Sequence, residues 1–206
     1  MEYLRCGWTI SMVAAIDYTA SNGDKNNVDS LHFQDIEKDN QYEQAIKNVG
    51  YVIEPYDNDK MFPVFGFGGV PHHCNIRQVN HCFPLNGNIN NPEINTIDGI
   101  VKEYRNTLEH IELSGPTFFA PLLSEFLQFL RSMEEQTVYS VLLILTDGTV
   151  HDMVDTIELI CMLAEYPCSI IIVGVGDADF SGMEILDSDA GMIRSSTGKE
   201  ASRDIV

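Results

Sequence analysis

Apolar runs of strand length alternate along this chain with segments whose apolar residues recur at helical spacing. The strand-like runs cover residues 10–16, 62–67, 139–145 and 169–175. Short runs that are apolar on both faces are typical of strands buried in a parallel sheet, and helices between them cover its two sides. The pattern therefore predicts an α/β fold with a doubly wound, mostly parallel central sheet flanked by helices on both faces.

The helical segments lie between these runs. The spacing is clearest where Ile97, Ile100, Val101, Tyr104 and Leu108 share one helix face. The predicted helices cover residues 41–55, 97–108, 152–165 and 180–187, and a further helix opens at 115–117 with its inner side over 122–130. Residues 70–91 predict a loop with a short strand near 79–83. Because we find no repeat and no linker, we predict a single domain over residues 1–206.

Charge limits the partners of such a domain. The chain has 206 residues with 12 basic and 31 acidic side chains, a formal net charge of −19. Nucleic acid binding needs clustered Lys and Arg, so this charge argues against it, and it also disfavours direct docking on anionic lipid. Metal cations and basic protein surfaces remain as expected partners.

The sequence also carries information on membrane insertion and on the cellular compartment. The apolar runs are too short to span a bilayer, and the first residues do not read as a secretory signal. There are five cysteines, an odd number, and Cys161 and Cys168 stand in apolar surroundings typical of reduced core residues. We therefore expect a cytoplasmic location.

Three polar segments follow predicted strands or helices at places where ligand-binding loops are expected. They are the D-x-T-x-S pattern that begins at Asp17, the Gly-Pro-Thr that ends at Thr117, and the Thr-Asp-Gly around Asp147. Together these segments supply two carboxylates and the hydroxyls of Thr19, Ser21 and Thr117. Hard oxygen donors of this kind suit Mg²⁺ or Mn²⁺ in octahedral geometry, and a partner's Asp or Glu could supply one more ligand.

These three segments resemble the metal-ion-dependent adhesion site (MIDAS) of von Willebrand factor A (VWA) domains, and the wider sequence resembles the copine family. The copine-like stretches are DYTASNGD with SLHF, YDNDKMFPVFGFGG, GPT, LILTDGTVHDMVDT, SIIIVGVGDADF and RSSTGKEASRDIV. Copines are intracellular proteins in which two calcium-dependent phospholipid-binding C2 domains precede an A domain. The chain resembles the A domain alone, with a Rossmann-like fold, and we expect the C2 domains to lie outside it.

The resemblance implies roles for individual residues. Thr19 and Ser21 are implied to bind the metal directly through their hydroxyls. Asp17 and Asp147 are implied to hold it mainly through bound waters or hydrogen bonds. Thr117 is implied to coordinate when the site engages a ligand. Asp24 lies in the same loop but is read as a turn residue.

The function expected from the resemblance is a protein-binding adaptor whose Mg²⁺ or Mn²⁺ site is completed by a partner carboxylate. Membrane association would then be peripheral and indirect, through the C2 domains. We find no nucleophile elbow, phosphate loop or kinase loop, which argues against an enzyme. Two alternatives stay open: a metal-assisted phosphotransferase or hydrolase, and a domain that regulates its own C2 domains.

Two other metal patterns are weaker. His72, His73, Cys74, His81 and Cys82 carry zinc-type donors, but their spacing matches no known finger, so a surface loop with free thiols is the favoured interpretation. Asp57-Asn58-Asp59 has the start of an EF-hand loop without its Gly and terminal Glu, so it predicts a turn before a strand.

Overall fold

A parallel sheet with helices on both faces forms the centre of the computed structural model, which describes residues 7–133, 136–187 and 191–206. In chain order its elements are β1 (Thr9–Asp17), α1 (Gln41–Ile53), β2 (Met61–Phe67), β3 (Gly69–Pro71), β4 (Phe83–Pro84), β5 (Glu93–Asn95), α2 (Ile97–Glu109), β6 (Ile111–Leu113), α3 (Ala120–Ser132), β7 (Val138–Thr146), α4 (Met153–Leu163), β8 (Cys168–Gly174) and α5 (Ser181–Glu184).

Later strands of the chain are added on both sides of β1 in the sheet. Its strand order is β4-β2-β1-β7-β8, in which β2, β1, β7 and β8 are parallel and β4 and β5 pair antiparallel with β2. The chain therefore moves from β1 to β2 on one side and later to β7 on the other. This arrangement opens a crevice between the carboxyl ends of β1 and β7, where α/β folds bind ligands.

Alternating side chains of the central strands supply two separate cores. Met12, Ala14 and Ile16 pack with α1 and α2 on one face, whereas Val13 and Ala15 pack with α3 and α4 on the other. α1 begins at a capping box, in which Asn40 and Glu43 accept each other's backbone N–H groups. Both faces of the sheet are therefore covered, which confirms the predicted fold class.

Several boundaries differ from the sequence prediction. The helix expected to open at residues 115–117 begins at Ala120, and the one expected over 180–187 is confined to Ser181–Glu184. The short strand expected near 79–83 is β4, at Phe83–Pro84. The short strands β3, β5 and β6 were not predicted, because runs of three residues carry too little pattern to recognise.

Two findings bear on compartment and membrane. Cys74, Cys82, Cys161 and Cys168 are free thiols, and Cys6 lies outside the described residues. Among the described residues we find no helix that is long and apolar enough to cross a membrane.

Candidate metal site

Asp17 ends β1 and is fully buried at the sheet edge. Its Oδ1 accepts hydrogen bonds from the Thr19 backbone N–H at 2.8 Å and from Thr19 Oγ1 at 2.6 Å. Its Oδ2 accepts from Thr146 Oγ1 at 2.7 Å, across from β7. Both carboxylate oxygens are thus held, one by the loop that follows β1 and one by the neighbouring strand.

The hydroxyls of Thr19 and Ser21 lie side by side. Their oxygens are 2.8 Å apart in a short 3₁₀ turn that follows β1, and Ser21 faces solvent. Two ligands at right angles on a Mg²⁺ ion, each about 2.1 Å from it, are separated by about 3.0 Å. The hydroxyl pair therefore already has a spacing that fits adjacent positions on one octahedral cation.

Asp147 follows β7 and adds the second carboxylate. Its charge is one cause that raises the pKa of Asp17 to about 6, after burial, which is the largest, and against the opposing hydrogen bonds from Thr146 and Thr19. Burial also raises the pKa of Asp147, and interactions with the Ser21 and Thr19 hydroxyls partly offset that rise. Two neighbouring carboxylates in one buried crevice create a negative potential that a divalent cation would relieve.

Thr117 lies in a segment that contacts both of the other loops. Ser114, just before it, accepts from Ala20 N at 2.5 Å and donates through its backbone N–H to Tyr18 O at 3.3 Å. The Thr117 backbone N–H donates to the His151 side chain, and the His151 backbone N–H donates to Thr117 O, in the loop between β7 and α4. The structure thus brings the three predicted segments together at one edge of the sheet, with Thr117 buried.

Known proteins match this chain over most of its length. A family model described as Copine matches residues 30–206. The chain belongs to the copine family. Protein BONZAI 1 of Arabidopsis thaliana is 43% identical over 210 residues, an alignment that covers 100% of this chain and 36% of that protein. The chain therefore spans about a third of the length of this relative. The Asp17–Ser21 loop precedes the range matched by the family model but lies within the BONZAI 1 alignment.

Solved structures show the same fold. The SpRpn10 VWA domain matches with a TM-score of 0.53 at 12% identity, covering 85% of this chain and 79% of that one. The manganese-loaded Plasmodium vivax TRAP protein matches with a TM-score of 0.54 at 12% identity, covering 82% and 58%. At this identity the matches establish the fold alone: this copine chain has the VWA fold.

Further residues of the copine chain hold the first loop and were missed by sequence reasoning. Asn22 donates through Nδ2 to Thr19 O at 3.1 Å and to Thr19 Oγ1 at 3.4 Å. Tyr42 on α1 donates to Asn22 Oδ1 at 2.7 Å, and both side chains are buried. With its own proton directed at Asp17, the Thr19 hydroxyl accepts hydrogen bonds from Asn22 and Ser21, and a metal would take the lone pair that Ser21 now uses.

Gly68, between β2 and β3, leaves room for Thr19. It has a φ of +80°, and a Cβ at this position would collide with Thr19 Cγ2. Gly is therefore required here both for the backbone conformation and for the close approach of the Asp17–Ser21 loop. The sequence pattern predicted only that the strand over residues 62–67 ends at this point.

The weaker metal patterns of the copine chain do not assemble. Throughout the described ranges, no three His, Cys, Asp or Glu side chains gather in a group that could hold a metal ion. The histidines and cysteines of 72–82 have separate neighbours: His72 faces Glu112, His81 packs on Phe118, and Cys74 donates to Pro84 O. The Asp57 carboxylate accepts from the backbone N–H groups of Asp59 and Lys60, as the predicted turn requires.

Proposed function

We propose that this copine domain is a metal-dependent protein-binding module that recruits partners through a Mg²⁺ or Mn²⁺ site. The observation that carries the proposal is the pair of hydroxyl oxygens on Thr19 and Ser21, which lie 2.8 Å apart, with Thr19 held in turn by Asp17. Asp147 adds a second carboxylate beside them. The resident metal would act as a Lewis acid that accepts an oxygen from a partner.

The residues have distinct tasks in this proposal. Thr19 and Ser21 bind the cation directly, while Asp17 and Asp147 hold it through waters or hydrogen bonds. Thr117 contributes its hydroxyl when the site engages a ligand, and a partner's Asp or Glu takes a further position. With few carboxylates bound directly, the cation keeps its attraction for the partner's carboxylate. That a VWA neighbour is manganese-loaded supports Mn²⁺ as a probe.

The charge of the chain shapes the choice of partner. A formal net charge of −19 repels most acidic surfaces, so an acidic anchor would bind best when flanked by basic residues. The function is recruitment and not catalysis. In the longer copines the module would act in the cytoplasm, with calcium-dependent C2 domains providing peripheral membrane attachment.

Partner capture with and without chelator tests this function. Immobilised chain is exposed to cytosolic extract in Mg²⁺ or Mn²⁺, bound proteins are eluted with EDTA, and one eluted partner is purified and retested. We expect its binding to be lost in D17A/D147A and kept in T107V, a control that removes a buried hydroxyl on α2. We also expect the binding to depend on one Asp or Glu of the partner.

Two results would contradict the proposal. One is partner binding that EDTA and D17A/D147A leave unchanged while thermal melts show folded protein. The other is metal-dependent turnover of a nucleoside triphosphate or a phosphate ester, which would favour the enzymatic alternative.

A further inference from the structure

His151 and Asp152 connect the loop that carries Asp147 to the segment that carries Thr117. Both residues precede α4, and neither is among the predicted metal ligands. We propose that they are positioning residues that hold Thr117 at the metal site. This inference rests on the proposed function, since it assigns a role at that same site.

Asp152 caps α3 from outside that helix. Its Oδ1 accepts from Phe119 N at 3.0 Å and its Oδ2 accepts from Ala120 N at 2.8 Å. The residue at the helix start, Phe119, has no side-chain acceptor, so these N–H groups depend on a cap from another loop. A carboxylate is also favoured at a helix N-terminus by the helix dipole. The start of α3, next to Thr117, is therefore fixed by Asp152.

His151 holds Thr117 directly. The Thr117 backbone N–H donates to His151 Nδ1 at 3.2 Å, and the His151 backbone N–H donates to Thr117 O at 2.9 Å. These reciprocal bonds fix both backbone polar groups of Thr117. Because the residue is also buried, its hydroxyl has little freedom to move independently of the Asp147 loop.

Asp152 is itself anchored on α4. Thr156 Oγ1 donates to Asp152 Oδ1 at 3.2 Å, and Thr156 N donates to Asp152 O at 2.9 Å. Asp152 and His151 thus form a chain of contacts, here called the clamp, from the first turn of α4 to Thr117. The clamp keeps the Asp147 and Thr117 loops at a fixed spacing, as a shared cation requires. Removing partners that orient metal ligands in this way commonly lowers metal affinity by about tenfold to a hundredfold.

A double-mutant cycle on the chain of residues 1–206 tests the clamp. Mn²⁺ affinity is measured by calorimetry in excess acetate, which stands in for the partner carboxylate and so engages Thr117, for the unmodified chain, T117V, D152A and T117V/D152A. We expect D152A to weaken Mn²⁺ binding about as much as T117V, by about tenfold. In the T117V background D152A should add nothing, because its effect passes through Thr117. D152N, which keeps one acceptor, should lie between D152A and the unmodified chain.

A matched control separates positioning from loss of stability. T96A removes the side-chain cap of α2 at a comparable cost and should leave Mn²⁺ affinity unchanged. Hydrogen exchange in metal-free protein gives a second readout. The amides of Thr117, Phe119 and Ala120 should exchange faster in D152A than in T96A.

The outcomes distinguish this inference from the function on which it rests. Additive effects of T117V and D152A, or an effect of T117V with none of D152A, would overturn the clamp. If neither changes Mn²⁺ affinity while D17A/D147A abolishes it, the clamp is wrong and the metal site stands. If D17A/D147A retains full affinity, the proposed function fails and the clamp fails with it.

Discussion

At the residue scale, Asp17 organises the candidate site through both of its oxygens. One oxygen accepts hydrogen bonds from the Thr19 backbone N–H and hydroxyl, and the other accepts one from the Thr146 hydroxyl. Both Asp17 oxygens therefore already accept hydrogen bonds from protein groups. This supports the proposal that Asp17 holds a metal through waters or hydrogen bonds and not as a direct ligand. The hydroxyls of Thr19, which is buried, and of Ser21, which is exposed, are left to bind a metal directly.

Asp57, away from this site, gives a prediction about pH. It is 6% exposed, and its pKa is raised from 3.8 to about 6, chiefly by burial and next by the neighbouring Asp59 carboxyl. The native state therefore holds this proton more tightly than the unfolded state. The stability due to this proton is present at low pH and is lost as pH rises from about 4 to about 6. D57N should remove that loss and stabilise the protein by about 1 kcal/mol at neutral pH.

Denaturant unfolding of both proteins at about pH 4.5 and about pH 7.5 checks this prediction. The advantage of D57N should be present at the higher pH and shrink at the lower one. D59N offers a control at the exposed neighbour, where the effect should be smaller. A D57N protein that is less stable than the unmodified chain at neutral pH would show that the Asp57 charge is stabilising.

The sequence predicted the five candidate ligands but not the residues that support them. Asp17, Thr19 and Ser21 stand in one short pattern, so local spacing was enough to select them. Thr146, Asn22 and Asp152 act through partners that the fold brings close from elsewhere in the chain. Such contacts leave no periodic signal, so a single sequence could not identify them.

At the scale of elements, the approach of β2 to the loop after β1 depends on Gly68. We predict that G68A costs about 2–4 kcal/mol of stability, because it combines a positive φ with a collision against Thr19. By displacing Thr19 it should also weaken Mn²⁺ binding. Unfolding curves and calorimetry on the same samples measure both effects.

Gly198 supplies the matched control for this change. Its φ is +86°, close to that of Gly68, but a Cβ there would meet nothing within 4 Å. G198A should therefore cost only about 1 kcal/mol from backbone strain and leave Mn²⁺ affinity intact. Equal effects of the two substitutions on metal binding would rule out a specific contact between Gly68 and Thr19.

The sequence patterns predicted the longer helices and strands but not the shortest strands. β1, β2, β7 and β8 were recognisable as apolar runs, and α2 as an amphipathic stretch. β3 and β6, by contrast, pair with each other over three residues and depend on long-range register. The early start predicted for α3 reflects the Gly-Pro-Thr turn, which places Thr117 before the helix.

At the scale of the whole molecule, excess negative charge acts against compactness. With a formal net charge of −19, like charges repel across the surface, and salt screens them over about 10 Å at 0.1 M. We predict that unfolding free energy in EDTA rises by about 1 kcal/mol between about 20 mM and about 300 mM salt. NaCl and KCl should act alike. A stability that falls with salt would mean that attractive ion pairs, such as Arg105 with Glu43, outweigh the repulsion.

The candidate site lies at the carboxyl ends of β1 and β7, where the chain places later strands on opposite sides of β1. Doubly wound topology and the order of the three loops together made that location predictable, whereas the identity of the partner is not encoded in any local pattern. The central claim is that this crevice binds one divalent cation through two hydroxyls.

Calorimetric titration of Mn²⁺ into the unmodified chain, T19V/S21A and T107V tests that claim most directly. We predict one site per chain, with affinity reduced at least about tenfold in T19V/S21A and unchanged in T107V. Binding of equal strength in all three folded proteins would contradict the account.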